Sequence, residues 1–561
     1  MAVAGAEHAG VDPLIRRSER ADYQANVAMS LGKLVRRPPR EVAQALIDHL
    51  DLRGVCDKAE MAGPGFINLS VSSAFLAESV SAMAREPRFG VAAAGALETV
   101  VIDYSSPNMA KELHVGHLRS SILGDSLSRV FDYLGHRVIR QNHLGDWGTP
   151  FGMLIEHLVD VRAVDPSRSL GDWNSFYREA RAKFDQDAAF AERARKRVVL
   201  LQGGDEPTLA LWRQLIEQSR TYLGSIYERL GVLLTDADVC GESFYNPMLH
   251  GIVDALREKG LLEESGGALC VFLPGYFGKT GDPLPLIVRK QDGGYGYAAT
   301  DLAAIRHRTE TLGGQRLLYV VGSPQQLHLE MVFQVAARAE WLVPPVRAEH
   351  VAFGAVLGED RKMFQTRKGE SVSLLYLLDE ACERAGAVVE AKNPDLPEER
   401  RREVARMVGI GAVKYADLSS DRVKDYVFDW DRMLAFEGNT GPYLQYAHAR
   451  IQSIFRKAHA GTSPVTTGAI RVVESAERAL AFELLELGAA VNAVAETAEP
   501  HKLCTYLYKL AMAFMGFYEQ CPVLRAASDA ERESRLALSQ LTSRVLAQGL
   551  GLLGIEAPEE M

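Results

Sequence analysis

The alternation of apolar and polar positions divides the chain before any single residue stands out. Residues 63–80, GPGFINLSVSSAFLAESV, pass from a Gly/Pro turn through an alternating strand into a helical repeat, so residues 1–95 are expected to form a small α+β domain. The pattern then changes. ETVVIDYSS at 98–106 is a short apolar run ending in hydroxyls, an apolar-periodic helix is predicted from Val115 to about Leu134, and HRVIRQNHLGDWG gives a second strand and a glycine-rich loop. Strand, loop, helix, strand is the opening of a βαβ unit. A charged helical stretch at about 155–235 reads as an insertion. The runs ALCVFLP, PLIVRK and RLLYVVGS after it are expected to resume the same parallel sheet. Strand signals almost vanish in residues 401–561, where amphipathic helices predict a helical domain and leave 96–400 as the α/β core.

Composition narrows the class. The chain has 561 residues, more than one core usually supports, with 47% hydrophobic and 24% charged positions. No apolar run approaches the ~18 residues that span a bilayer, and the N-terminus lacks a secretory pattern, so a cytoplasmic protein is expected. Six cysteines without a CxxC pair, and no histidine cluster at ligand spacing, argue against structural zinc and against a disulfide framework. A formal net charge of −10 argues against a general polyanion coat but leaves room for a local basic groove.

The densest chemistry lies in SSPNMAKELHVGHLRSS at 105–121. His114 and His117 are spaced to share a helix face at the carboxyl end of the first strand, where parallel α/β sheets bind nucleotides. Gly116 permits close approach of a base or ribose, and Lys111 supplies a point charge. From HxGH alone, two solvated histidines at a helix start remain an equal reading.

The wider block DYSSPNMAKELHVGHLRSSILGDSLSRVFDYLGHRVIRQNHLGDWGTPFG resembles the signature of arginyl-tRNA synthetases, which are class I aminoacyl-tRNA synthetases. The resemblance continues in family order through DVCGESFYN, RKQDGGYGYAATDLAAIRHR, VVGSPQQLHLEMVF, VLGEDRKMFQTRKGESVSL, VGIGAVKYADLSSDR, FEGNTGPYLQYAHARI, YLYKLAMAFMGFYEQCPVL and GLLGIEAPEEM, and so covers essentially the whole chain. It implies a Rossmann-type parallel-sheet catalytic domain and ligation of arginine to tRNA(Arg) through arginyl-adenylate. ATP would enter as its Mg2+ complex, with no dedicated metal cage. The family's two-histidine ATP element maps to His114, Gly116 and His117. Its mobile lysine loop maps to Lys362, Met363 and Phe364, but Gln365 stands where a second lysine falls, and Lys111 resembles the substitute some family members carry.

A guanidinium is a planar fork of donors, so its pocket has to be acidic. Tyr297 and Asp301 are four apart and face one way if their segment starts a helix. The resemblance implies that Asp301 grips the guanidinium, Tyr297 lines the pocket, Glu242 adds a second carboxylate, and Asn108 and Gln325 hold the amino and carboxylate groups. It also implies tRNA contacts at Phe75, in a domain for the tRNA elbow, and at Tyr446, Tyr518 and Met561 on the anticodon side. Tyr443, Tyr508, Phe514, Arg450 and Lys457 accompany them, although aromatics at helical spacing also pack cores. A monomer is expected, and arginine activation that depends on bound tRNA. The intact HVGH, Lys111 and Asp301 weigh against a non-catalytic relative, and the C-terminal helices against an adenylate-forming paralogue.

Overall fold

The computed structural model describes residues 10–109, 113–164, 173–358, 360–362, 372–458 and 469–561. The chain forms two compact units. One comprises the residues up to Val91 with Arg450–Ala489 and Tyr508–Leu546, and the other Ala92–Ala449, Ala490–Leu507 and Ala547–Met561.

In the first unit, strands β1 (Ile15–Arg17) and β2 (Tyr23–Ala25) precede helices α1 (Val27–Leu34) and α2 (Pro39–His49), and strands β3 (Cys56–Ala62) and β4 (Phe66–Val71) lead into α3 (Ser73–Arg85). The strands form an antiparallel sheet in the order β1-β2-β4-β3. Helices α1 and α2 bury Val27, Ala28, Leu31, Val42 and Ala43 with Ile67 of β4. Ser72 starts α3 by accepting the Phe75 N–H at 3.1 Å, an N-cap that satisfies one orphan donor of the first turn. The helix Ser475–Leu485 is held to the sheet by Arg478, which donates to Asp22 at 2.6 Å.

The second unit is built on a four-stranded parallel sheet. Strand β5 (Thr99–Asp103) leads to α4 (Val115–Tyr133) and then to β6 (Arg137–Gln141) in right register beside β5. Four helices follow, α5 (Thr149–Val164), α6 (Trp173–Gln186), α7 (Ala188–Gln202) and α8 (Glu206–Leu230). The short α9 (Glu242–Tyr245) and α10 (Leu249–Glu258) precede strands β7 (Glu263–Ser265), β8 (Ala268–Phe277) and β9 (Pro283–Arg289), after which come α11 (Tyr297–Arg306), β10 (Arg316–Tyr319), α12 (Gln326–Arg338) and β11 (Arg347–His350). The sheet order is β11-β10-β5-β6. One expectation is corrected: ALCVFLP and PLIVRK do not join this sheet but form a separate antiparallel one, β7-β8-β9. The reason is length. Only the short turn GKTGD separates β8 from β9, whereas a parallel return needs a crossover of a dozen residues or more.

Strand β12 (Val356–Leu357), helices α13 (Leu374–Lys392) and α14 (Glu398–Leu418), and strand β13 (Tyr426–Val427) complete the core, and from there to the C-terminus the described elements are helical. Helix α4 runs through the interior, with residues buried around its whole circumference from Leu118 to Ser128. Small side chains make this possible. A Cβ on Gly124 would stand 2.2 Å from Tyr104 Cβ, so the helix lies closer to the end of β5 than any other residue would allow. No helix among the described residues is long and apolar enough to cross a membrane.

Candidate active site

The site begins where β5 ends. Ser105 and Ser106 both have left-handed backbone conformations, φ 67° and 47°, which non-glycine residues adopt only when their surroundings hold them there. The hydroxyls of the sequence block supply that hold. Ser105 N–H donates to Ser120 Oγ at 2.9 Å, Ser120 Oγ donates to the Val320 carbonyl at 2.6 Å, and Ser121 Oγ donates to Ser105 Oγ at 3.0 Å. Ser106 Oγ donates to Asp103 at 2.6 Å and accepts from His143 N–H, while Ser106 N–H donates to Asn142. The chain thereby turns sharply off the strand toward the helix start.

His114 is the N-cap of α4, not a residue within it, with extended backbone angles of −117° and 172°. Its Nδ1 accepts the Gly116 N–H at 3.0 Å, and His117 Nδ1 accepts the His114 N–H at 3.1 Å, a reciprocal capping box made of two imidazoles. The rings lie 4.0 Å apart. Because each Nδ1 accepts a backbone hydrogen bond, each neutral ring carries its hydrogen on Nε2. Gly116 has no room for a side chain, since a Cβ would come 2.7 Å from His114 Cε1.

His114, Val115 and Gly116 line a cavity of about 660 Å³ together with Gly322–Pro324 at the end of β10 and Phe353–Val356. Its shape depends on Arg119, which sequence reasoning passed over. The Arg119 guanidinium is buried, donates to both oxygens of Asp417 at 3.1 Å, and reaches the Gly354 carbonyl at 2.7 Å and that of Lys424 at 3.1 Å. One side chain thus joins α4, α14 and two lining loops. Val356 lies at the start of the lysine-bearing loop, and Val372 at its other end accepts the Val115 N–H at 3.0 Å, so the loop leaves from the cavity and returns beside the two histidines. Lys362 is exposed in a turn closed by the Gly358 N–H on its carbonyl. Lys111, Met363, Phe364 and Gln365 lie outside the described residues.

The second half of the site is acidic. Asp146, in the loop after β6, is buried and raised above the usual carboxylate range by desolvation, although it accepts the Ser243 N–H at 2.8 Å and its hydroxyl at 2.5 Å. Gly241 is required beside it, because a Cβ there would lie 2.3 Å from the Asp146 carboxylate. Glu242 is lifted to about 7 by burial first and then by the charges of Asp146 and Asp301. The structure therefore brings Glu242 and Asp301 together and adds Asp146. Asp301 is on α11 and pairs with His328. Tyr297 opens the same helix and is 77% exposed. Asn108 is exposed and backs onto Gly145, next to Asp146, through a parallel bridge. Gln325 is exposed at the turn between β10 and α12. Below these groups Arg308 donates to Asp103 at 2.8 Å and to Gln141 at 2.6 Å, fixing the ends of β5 and β6. Among the described residues no group of three or more His, Cys, Asp or Glu side chains is arranged to hold a metal ion.

The residues assigned to tRNA fall in both units. In the second, Tyr446 meets Phe436 edge-on at 6.2 Å, and Met561 packs on the Val389–Leu434 apolar cluster beside Trp430 and Phe436. In the first, Phe75 is 37% exposed on α3, and the Arg450 guanidinium lies 4.7 Å over the Tyr518 ring. Phe514 is fully buried and belongs to the core, while Tyr443 and Tyr508 are half-buried.

A helix opened by paired histidines stands at the carboxyl end of a parallel sheet, the place where α/β folds of the class I synthetase kind bind nucleotides. Residues 80–430 match the family model for tRNA synthetases class I (R), catalytic domain. Residues 444–561 match the DALR anticodon binding domain and residues 2–71 the arginyl tRNA synthetase N terminal domain. The chain is 56% identical to the arginine–tRNA ligase of Thermobifida fusca (strain YX), over 100% of this chain and 97% of that one, and 52% identical to that of Cellvibrio japonicus (strain Ueda107), over 96% and 94%. Among solved structures it is similar to the arginyl-tRNA synthetases of Thermus thermophilus (TM-score 0.83, 28% identity, 100% and 99% covered) and Plasmodium falciparum (0.81, 29%, 98% and 96%). The chain belongs to the arginyl-tRNA synthetase family, and it is an enzyme of the ligase class.

Proposed function

We propose that the chain activates L-arginine with ATP and transfers it to the 3′-terminal adenosine of tRNA(Arg) using the residues assembled above. The observation that carries this reading is the pair of imidazoles, 4.0 Å apart at a helix N-terminus, with His114 lining a cavity of about 660 Å³. In the first step an arginine carboxylate oxygen attacks the α-phosphorus and pyrophosphate departs. His114 and His117 donate Nε2–H to the phosphate oxygens as negative charge grows on them, assisted by the dipole of α4, Lys111 and Lys362. Gly116, Met363 and Phe364 border the nucleotide. Mg2+ arrives with ATP as its phosphate complex and neutralises part of its charge.

Arginine lies with its guanidinium against Asp301 and Glu242, Tyr297 along its stem, and Asn108 and Gln325 on its amino and carboxylate groups. In the second step the terminal 2′-hydroxyl attacks the arginyl carbonyl and AMP leaves. Catalysis comes from in-line positioning and charge stabilisation without a covalent enzyme intermediate. Residues 1–95, with Phe75, are assigned to the tRNA elbow, 96–400 to catalysis, and 401–561, with Tyr446, Tyr518 and Met561, to the anticodon. The working form is a cytoplasmic monomer.

The test is single-turnover adenylate formation with tRNA present. His114→Ala and His117→Ala should each slow the step by ~100- to 1000-fold, as removal of one transition-state donor does elsewhere, with arginine affinity little changed. Normal turnover in either variant contradicts the assignment.

A further inference from the structure

Asp301 already has a partner in the protein. His328, in the first turn of α12, places Nε2 2.6 Å from Asp301 Oδ2, and neither side chain is fully buried, at 30% and 25% exposure. The hydrogen bond to Asp301 raises His328 above the ordinary imidazole range, against the cost of burial. Its own helix works the other way. The positive end of the α12 dipole disfavours a cation in the first turn, so the proton on His328 depends on Asp301. The charged groups around the pair are His143 and Asp146 from the loop after β6, Glu242 from α9, and Asp103 with Arg308 at the sheet ends. On α12 itself Glu330 is exposed and accepts from Gln326.

We propose that His328 is the proton-bearing counter-cation of the arginine pocket: it neutralises Asp301 before arginine binds, and when the guanidinium arrives it releases its Nδ1 proton to solvent while Nε2–H stays on Oδ2. This rests on the reading of Asp301 as a guanidinium partner. Two cations on one carboxylate, at the positive end of a helix, repel each other, and the arginine guanidinium cannot lose its proton. The imidazole can. Because His328 occupies Oδ2, the incoming fork engages Asp301 through Oδ1 and needs Glu242 for a second acceptor. His328 is therefore a positioning residue that makes arginine uptake proton-linked.

The experiment is calorimetry of arginine binding at pH 6.5 in phosphate and in Tris, whose different ionisation heats report the protons exchanged. Parent, His328→Gln and Asp301→Asn proteins are compared, each first checked for cooperative thermal unfolding. The parent should release more protons than His328→Gln, by up to about one per site. Its affinity should also fall more steeply with acidification, this proton contributing up to about tenfold per pH unit. Equal proton release by parent and His328→Gln, with Asp301→Asn failing to bind, overturns the role of His328 and leaves the pocket in place. Parental binding by Asp301→Asn overturns the pocket itself. Should His328→Gln not fold, His328→Asn replaces it, with the same outcomes deciding.

Discussion

Burial beside Asp146 and Asp301 brings Glu242 to about 7, so near neutral pH about half of the arginine-free molecules carry a proton there. In the proposed pocket arginine binds the ionised form. As pH falls below 7 the protonated acid loses the charge it has to offer, and KM for arginine should climb by up to about tenfold per pH unit, flattening above about pH 8. Steady-state charging between pH 6 and 8.5 checks this, and a KM that does not move contradicts it. Glu242→Gln should raise KM throughout and remove its share of the pH dependence. Glu242 and Asp301 could be singled out because each sits in a recognisable block. Asp146 and His328 could not, since each acquires its role from a partner 97 or 27 residues away and neither contact has a local sequence signature. The serines were visible as a run, but their purpose, holding Ser105 and Ser106 in left-handed conformations, follows only from where Ser120, Asn142 and Asp103 arrive in the fold.

Helix α4 carries the site because it lies against the end of β5, and Gly124 is where that approach is tightest. Gly124→Ala puts a methyl 2.2 Å from Tyr104 Cβ and Cγ, both belonging to a buried residue beside the strand end. Overpacking of this kind costs about 1 to 3 kcal/mol, and here it also shifts the helix that positions His114 and His117. Lower thermal stability together with slower adenylate formation is expected; a variant with parental stability and rate contradicts it. A second prediction concerns the loop between β12 and α13. Gln365 leaves it one cation short, so Lys111→Ala should slow adenylate formation at least as much as Lys362→Ala, by roughly one to three decades at ~2 to 4 kcal/mol for a lost phosphate-directed donor. Single-turnover rates decide, and a harmless Lys111→Ala refutes it. The βαβ opening was legible from hydrophobic periodicity alone. The β8-β9 hairpin was misread as parallel because its apolar runs resemble buried strands, although the short connection between them carries the opposite signal.

Across the second unit, one buried lysine ties distant stretches of chain together. Lys414 of α14 donates to the Leu230 carbonyl at the end of α8 at 2.8 Å, and Gly554 near the C-terminus fits between its Nζ and Asp125 of α4. Burial lowers Lys414 from 10.5 to about 8. The unfolded chain keeps that proton to higher pH than the folded one, so below pH 8 folding bears a cost of roughly 3 kcal/mol, relieved as pH rises through 8 toward 10.5. In denaturant unfolding the parent should therefore gain stability relative to Lys414→Met across that window, and a constant or shrinking difference contradicts the linkage. The central claim, that a nucleotide cavity and an acidic guanidinium pocket form one arginine-activating site, has its most direct test in tRNA charging with arginine, canavanine and lysine by parent and Asp301→Asn proteins. The parent should charge arginine best, accept canavanine, which keeps the planar fork, and reject lysine, whose single ammonium cannot satisfy acceptors spaced for two donors. Asp301→Asn should lose arginine affinity by about two to four decades, the ~3 to 5 kcal/mol of breaking an ion pair that the bound arginine covers, with KM for ATP unchanged. Equal charging of lysine and arginine by the parent, or an unchanged arginine requirement in Asp301→Asn, would contradict it.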